Sequence, residues 1–174
     1  MDFQSSRTFQ NLQNAYGFEL QSDGRYDIFA GRAREENLIG IAMTFGQISS
    51  YSRFIANRLR SIINDGVTNT VQNLEEAAEM ELFIEDMYRE YALVAREEVF
   101  SDLEALFSGI ANIKLNHHRI FQEYFVDINN GQLFCKPEER LWICLGCGNI
   151  LSGECAPEIC PICLYPQGYY QLYE

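Results

Sequence analysis

Four cysteines near the C-terminus have the types and spacing to do chemistry. Cys144-Leu-Gly-Cys147-Gly148 is followed by Cys160-Pro-Ile-Cys163, with Cys160 twelve residues beyond Gly148. Two such pairs bring four thiolates around one tetrahedral metal ion, because each CxxC turns the backbone tightly enough for both sulfurs to reach the same centre. Gly148 supplies permissive backbone behind the first pair, and Pro161 stiffens the second. Cys144, Cys147, Cys160 and Cys163 are therefore read as metal ligands. Cys135 and Cys155 remain, and the simplest account leaves them as two free thiols in a reducing cytoplasm.

Three ionisable residues fall where a helical period calls for apolar ones: Glu19, Lys114 and His117. Lone charges are costly to bury, so they should be paired or at work. One reading is a core ion pair of Glu19 with Lys114, with His117 hydrogen-bonded nearby. The other is a remnant metal or proton-transfer site. The adjacent His118 faces elsewhere on its helix and reads as a surface residue.

The elements that must position these groups are mainly helical. Up to about Tyr124 the chain lacks proline and carries four amphipathic stripes. The first runs through Leu12, Ala15, Tyr16, Tyr26, Phe29, Ala30 and Ala33. The second runs through Leu38, Ile41, Phe45, Ile48, Ile55, Leu59 and Ile62, and stops at Asn64-Asp65-Gly66. The third carries Leu74, Ala77, Met80, Ile84, Met87, Tyr91 and Val94. The fourth opens on Ser101-Asp-Leu-Glu104, which fits a capping box, and continues through Leu103, Phe107, Ile110 and Phe121. Four such stripes describe a four-helix bundle over residues 1–127. Residues 128–174 form a second, small module: a turn at Asn129-Asn130-Gly131, a short strand from Gln132 to Cys135, then Trp142 leading into the first cysteine pair. That tail is too small for a core of its own and is expected to fold when loaded with metal, which supplies about 10–16 kcal/mol in small thiolate modules.

Composition narrows the classes of function. Hydrophobic residues make up 47% of the 174 residues, enough for a substantial core, and the net charge of −12 argues against nucleic acid or an anionic membrane as partner. The start, Met1-Asp-Phe-Gln-Ser-Ser, lacks the basic and apolar regions of a secretory signal, and no apolar run approaches membrane-spanning length. A cytoplasmic location is expected.

A helical bundle followed by a CxxCG…CPxC tail resembles the rubrerythrin family, a ferritin-like four-helix bundle with a small β-rich rubredoxin-like domain. The resemblance is carried by Arg25-Tyr-Asp-Ile-Phe-Ala30, Asp86-Met-Tyr-Arg-Glu-Tyr-Ala92, the stretch from Trp142 to Cys163 with Gly153 and Ala156-Pro-Glu158, Pro166-Gln167, and Tyr170-Gln-Leu-Tyr173. It implies a bundle that holds two irons and reduces peroxide with electrons drawn through the rubredoxin iron. Each helix of such a bundle contributes a carboxylate, with Glu-x-x-His on two of them. Carried over by position, Glu19 stands where the first-helix ligand belongs. The helix-two pair falls on Ser52 and Ile55, the helix-three pair on Met80 and Phe83, and the helix-four pair on Lys114 and His117. Glu19, Lys114 and His117 are thus vestigial di-iron positions, of which only Glu19 and His117 keep a liganding side chain. Ile55, Met80 and Phe83 are expected to fill the vacated centre, and Lys114 to neutralise Glu19 there. No catalytic residue is assigned. A register shifted by one, bringing Glu81 and Glu85 inward, would expose Met80 and Ile84.

About half a dozen residues join helices two and three. At about 3.3–3.6 Å each they reach a little over 20 Å, less than the length of a helix of about 25 residues. Helix three therefore runs back antiparallel or packs into a neighbouring subunit. Three functional readings follow: electron transfer through one iron of rubredoxin type, whose access Ile143, Leu145, Ile162 and Leu164 limit; a structural or assembly module with zinc in the same cage; or residual peroxide reduction beside an active rubrerythrin-like partner. The expected partners are a second copy in a homodimer, or a rubrerythrin-like subunit in a hetero-oligomer, together with a redox protein. The tail tyrosines Tyr165, Tyr169, Tyr170 and Tyr173 either dock on a bundle or pack at home.

Overall fold

The computed structural model describes residues 2–173. The chain carries four long helices, α1 (Arg7–Glu35), α2 (Ile39–Ile63), α3 (Thr70–Glu97) and α4 (Ser101–Asn129), followed by strands β1 (Cys135–Cys144), β2 (Ile150–Cys155) and β3 (Tyr170–Leu172). This is the ferritin-like helical class with a rubredoxin-like sheet appended. Two compact units part between Asn69 and Thr70. The sequence changes character later, near Asp127, so the second unit holds a helix pair together with the metal module.

The first unit is an antiparallel hairpin of α1 and α2. Ser6 caps α1, its hydroxyl accepting the Phe9 amide at 3.1 Å. The helices meet through small side chains, Ala30 and Ala33 against Ala42, Ser49 and Ala56, the last three recurring every seven residues. Asp23 of α1 accepts the Ser49 hydroxyl at 2.5 Å and is clasped by Arg53 through Nε at 2.9 Å and a second guanidinium nitrogen at 3.0 Å. The rings of Tyr26, Phe29 and Phe45 cluster along the same seam. The helix stop at Asn64 to Gly66 is where the sequence put it.

In the second unit α3 and α4 pair in the same manner, but on a face that differs from the expected stripe. The buried residues of α3 are Ala78, Glu81, Glu85, Ala92 and Ala95, in 3–4 spacing, while Met80 is 51% and Phe83 71% exposed. The expectation that Met80 and Phe83 fill an interior is thus not met in this hairpin. Small residues let two backbones approach closely, so the bulky side chains turn away from the α3–α4 seam. The capping box at the start of α4 does not form either. Phe100 is the N-cap residue, without a side-chain cap, and Glu104 instead accepts from Arg96 at 2.7 Å.

The sheet is antiparallel in the order β2-β1-β3. Of the short strand expected from Gln132 to Cys135 only Cys135 lies in a strand, where it opens β1, which continues to Cys144. Trp142 anchors the small core, its indole donating to the Gly153 carbonyl at 3.0 Å, with Cys144, Ala156, Cys160 and Tyr170 packed around it. Cys135 and Cys155, opposite one another on β1 and β2, are disulfide-bonded. This corrects the reading of two free thiols. Antiparallel pairing sets the two Cβ atoms face to face, which sequence separation does not reveal. Lys136, next along β1, pairs with Asp127 in the last turn of α4 and ties the module to its helix pair.

Candidate metal centre

The two CxxC loops are built alike. Each starts at a buried cysteine, Cys144 or Cys160. In the first, the Gly148 amide donates to the Cys144 carbonyl at 2.7 Å and the Cys144 amide to the Asn149 carbonyl at 2.8 Å. In the second, the Leu164 amide donates to the Cys160 carbonyl at 3.0 Å and the Cys160 amide to the Tyr165 carbonyl at 2.8 Å. The bonds have the same offsets, and the fifth residue of each loop has a left-handed backbone, Gly148 at φ 76° and Leu164 at φ 60°. Glycine takes that conformation freely and leucine does not. Gly146 is needed for a different reason: a Cβ there would lie 2.1 Å from the Tyr165 ring.

The four sulfurs converge. Their ligand atoms lie within 4.8 Å of one another, with Cys144 Sγ 3.6 Å from Cys163 Sγ and Cys147 Sγ 3.7 Å from Cys160 Sγ. A tetrahedral ion with metal–sulfur bonds of about 2.3 Å calls for sulfur separations of about 3.8 Å. The donor set and its size therefore fit a four-thiolate iron or zinc ion, and the site is a metal-binding site as the spacing predicted. Cys144 and Cys160 are buried, Cys163 is partly buried and Cys147 is exposed.

The electrostatics prepare the sulfurs unequally. The Tyr170 hydroxyl, followed by the backbone amides of Cys163 and Ile162, holds the Cys160 thiol down to about 6. The Tyr165 amide also draws Cys163 down, but burial and the three neighbouring sulfurs outweigh it and push that thiol up to about 12. Cys147 is lowered by the Asn149 amide and raised more by burial and its sulfur neighbours, ending above its ordinary value. Crowding four sulfurs without a cation penalises the second and later thiolates, which is the penalty a divalent or trivalent ion removes.

Of the vestigial di-iron positions, Lys114 and His117 share one carboxylate. Lys114 Nζ donates to Glu81 Oε1 at 3.1 Å, and His117 Nδ1 approaches Glu81 Oε2 at 3.2 Å. Glu81 is the carboxylate that Lys114 meets within its own unit. Glu19 lies half-buried on α1 without a hydrogen bond or ion pair to any described residue. Glu85 is buried one turn on and paired with Arg89, which also donates to Asn112 of α4 at 3.1 Å. His118 is half-buried, its Nδ1–H donating to the Ala78 carbonyl at 2.8 Å, and so is not a free surface residue. The inward Glu81 and Glu85 and the exposed Met80 match the α3 register shifted by one, and the signal that favours it is the 3–4 spacing of Ala78, Glu81, Glu85, Ala92 and Ala95, which marks a helix seam as clearly as large apolar side chains do.

A family model described as "Rubrerythrin" matches residues 10–125, and one described as "Rubrerythrin, rubredoxin-like domain" matches residues 142–171. The chain belongs to the rubrerythrin family. It is similar to the rubrerythrin of Clostridium perfringens, 31% identical with 97% of this chain and 95% of the relative covered. It is also similar to the rubrerythrin of Porphyromonas gingivalis, 31% identical over 95% and 90% of the two chains. The rubrerythrin of Nitratidesulfovibrio vulgaris is 29% identical, with coverage of 96% and 94%. Among solved structures, a mixed-valence state of nigerythrin aligns over 97% of this chain and 87% of that one, at 24% identity and a TM-score of 0.36. The two family matches frame the helical residues and the four-cysteine residues of this rubrerythrin-family chain separately. No helix among its described residues is long and apolar enough to cross a membrane.

Proposed function

We propose that this rubrerythrin-family protein is a one-electron carrier working through its four-cysteine centre, and that its helices no longer hold a di-iron peroxidase site. The supporting observation is the convergence of Cys144, Cys147, Cys160 and Cys163 on a cage of metal-ion size with one exposed sulfur. Iron bound by four thiolates exchanges a single electron between ferric and ferrous states with little change of geometry.

The chain's own residues supply the rest. Trp142, Ala156 and Tyr170 exclude water from the inner sulfurs, while the amides of Asn149, Ile162 and Tyr165 point at the sulfurs and stabilise their negative charge. Leu145, Ile162 and Leu164 flank the ligands and are exposed, so they form an apolar rim rather than the cover expected of them. Electrons pass at the exposed Cys147, where a redox partner can approach across that rim. Loss of the di-iron centre is supported by Ser52 and Ile55, which stand where a Glu-x-x-His pair would be needed on α2. It is also supported by Lys114, whose ammonium already satisfies the carboxylate beside His117. The acceptor in this reading is a rubrerythrin-like subunit, in a homodimer or a hetero-oligomer. Each helix hairpin supports such assembly by exposing large apolar side chains, Phe18, Met43 and Phe54 on the first and Phe83, Leu93 and Ile113 on the second.

Iron and zinc per chain, measured by elemental analysis of anaerobically purified protein and followed by a redox titration, test the proposal. One iron, reversibly reduced by one electron, is expected. Three irons per chain would restore a di-iron centre, and zinc persisting after growth in iron-rich medium would make the module structural. Either result overturns the proposal.

A further inference from the structure

Tyr170 opens β3 directly opposite Cys144 on β1, and its ring lies in the core formed by Trp142, Cys144, Ala156 and Cys160. The residue is 4% exposed, and its hydroxyl is the single buried side-chain polar atom without a hydrogen-bond partner among the described residues. A hydroxyl buried in that way is costly unless an acceptor is provided. The side-chain acceptors packed with it in that core are the sulfurs of Cys144 and Cys160, both fully buried. A thiol accepts weakly and a metal-bound thiolate accepts well, so the acceptor comes into being when the site is charged.

We infer that the Tyr170 hydroxyl donates a hydrogen bond to a metal-bound sulfur of the buried pair Cys144 and Cys160 and thereby raises the ease with which the centre accepts an electron. The inference rests on the one-electron reading above for its consequence, but not for the hydrogen bond itself. Reduction places additional negative charge on the four sulfurs. A fixed O–H dipole aimed at one of them favours the reduced form. Tyr170 is in this sense a positioning and tuning residue and not a ligand.

Tyr170→Phe keeps the ring and its packing and removes only the donor. Tyr169→Phe is the control, since Tyr169 is exposed and packs its ring at a tilt against Tyr165. The three proteins are loaded with iron for redox titration and separately with cobalt(II), whose sulfur-to-metal charge-transfer bands report hydrogen bonding to sulfur without any redox step. Tyr170→Phe is expected to lower the reduced-to-oxidised ratio at a fixed potential about threefold to tenfold, tenfold being about 59 mV for one electron. It is also expected to move the cobalt bands to lower energy, while Tyr169→Phe changes neither. Cobalt bands in Tyr170→Phe that match the unsubstituted protein overturn the hydrogen bond, and an unshifted midpoint overturns its role in tuning. If the unsubstituted iron protein does not cycle at all, the carrier reading fails, and the cobalt bands still decide the hydrogen bond.

Discussion

Lys114 of α4 and Glu81 of α3 form an ion pair, Nζ to Oε1 at 3.1 Å, with the carboxylate only 9% exposed. His117 meets the other carboxylate oxygen, so both oxygens of Glu81 are engaged from one neighbouring helix. Replacing Lys114 by Met leaves a nearly buried carboxylate without its cation. The expected cost is about 1–3 kcal/mol of stability in urea unfolding of metal-loaded protein. Adding Glu81→Leu in the same chain should recover most of that loss, because it removes the charge left behind. A double variant no more stable than Lys114→Met would show that the pair is not what holds this seam.

The two cysteine loops allow a test at matched positions. Gly148→Ala places a Cβ at φ 76° and is expected to lower stability by about 1–2 kcal/mol. Leu164→Gly relieves the same conformation at φ 60°, and because Leu164 is exposed little packing is lost. A gain of up to about 1 kcal/mol is expected, the relief being partly offset by the entropy glycine loses on folding. Thermal melts of the zinc-loaded variants should therefore move in opposite directions.

Asp23 gives a pH signature in the first hairpin. The hydrogen bonds from Arg53, then that from Ser49, hold its carboxyl below the ordinary value of 3.8. A carboxyl lowered on folding stabilises the native state above its unfolded value and loses that contribution as the pH falls through the folded one. Asp23→Asn should therefore be less stable than the unsubstituted protein at neutral pH. The difference should close as the pH drops below about 4. A difference that stays constant down to that range would mean the clasp contributes no charge-dependent stability.

The disulfide between Cys135 and Cys155 closes a sequence separation of 20 residues. Constraining such a loop contributes about 2–4 kcal/mol. Replacing both by Ser should cost that amount under oxidising conditions and nothing in the presence of a strong reductant. Alkylation followed by mass measurement, with the four ligand sulfurs protected by metal, should find two additional reactive thiols only after reduction.

The cysteine cage was legible because its chemistry is local: spacing alone brings each CxxC pair together, and no distant element has to be known. The helices were legible for a similar reason, since 3.6-residue periodicity and the stop at Gly66 lie within each segment. Reading the face of α3 needed knowledge of its neighbour. Met80 and Phe83 are the larger hydrophobes, but against α4 the close approach of backbones favours Ala78, Ala92 and Ala95 and admits Glu81 only because Lys114 and His117 lie across the seam. Glu81 came inward in the sequence only through a register of α3 shifted by one residue, and spacing alone did not rank that register above the one with Met80 inward. The disulfide was hidden for the same physical reason, because it depends on the register of β1 against β2.

Each cysteine loop contributes its first sulfur to the inside and its second toward the outside: Cys144 and Cys160 are buried, Cys163 is at the margin and Cys147 is open. The cage is therefore not symmetric with respect to the surroundings. A chelator, an oxidant or an incoming ion meets Cys147 first and the two inner sulfurs last. Loading and stripping follow one route in opposite order, with the inner pair acting as a preformed half-site and the outer pair as its closure. Which side of this small domain faces the outside chemistry is thus decided by nothing more than the order of the two cysteines in each loop.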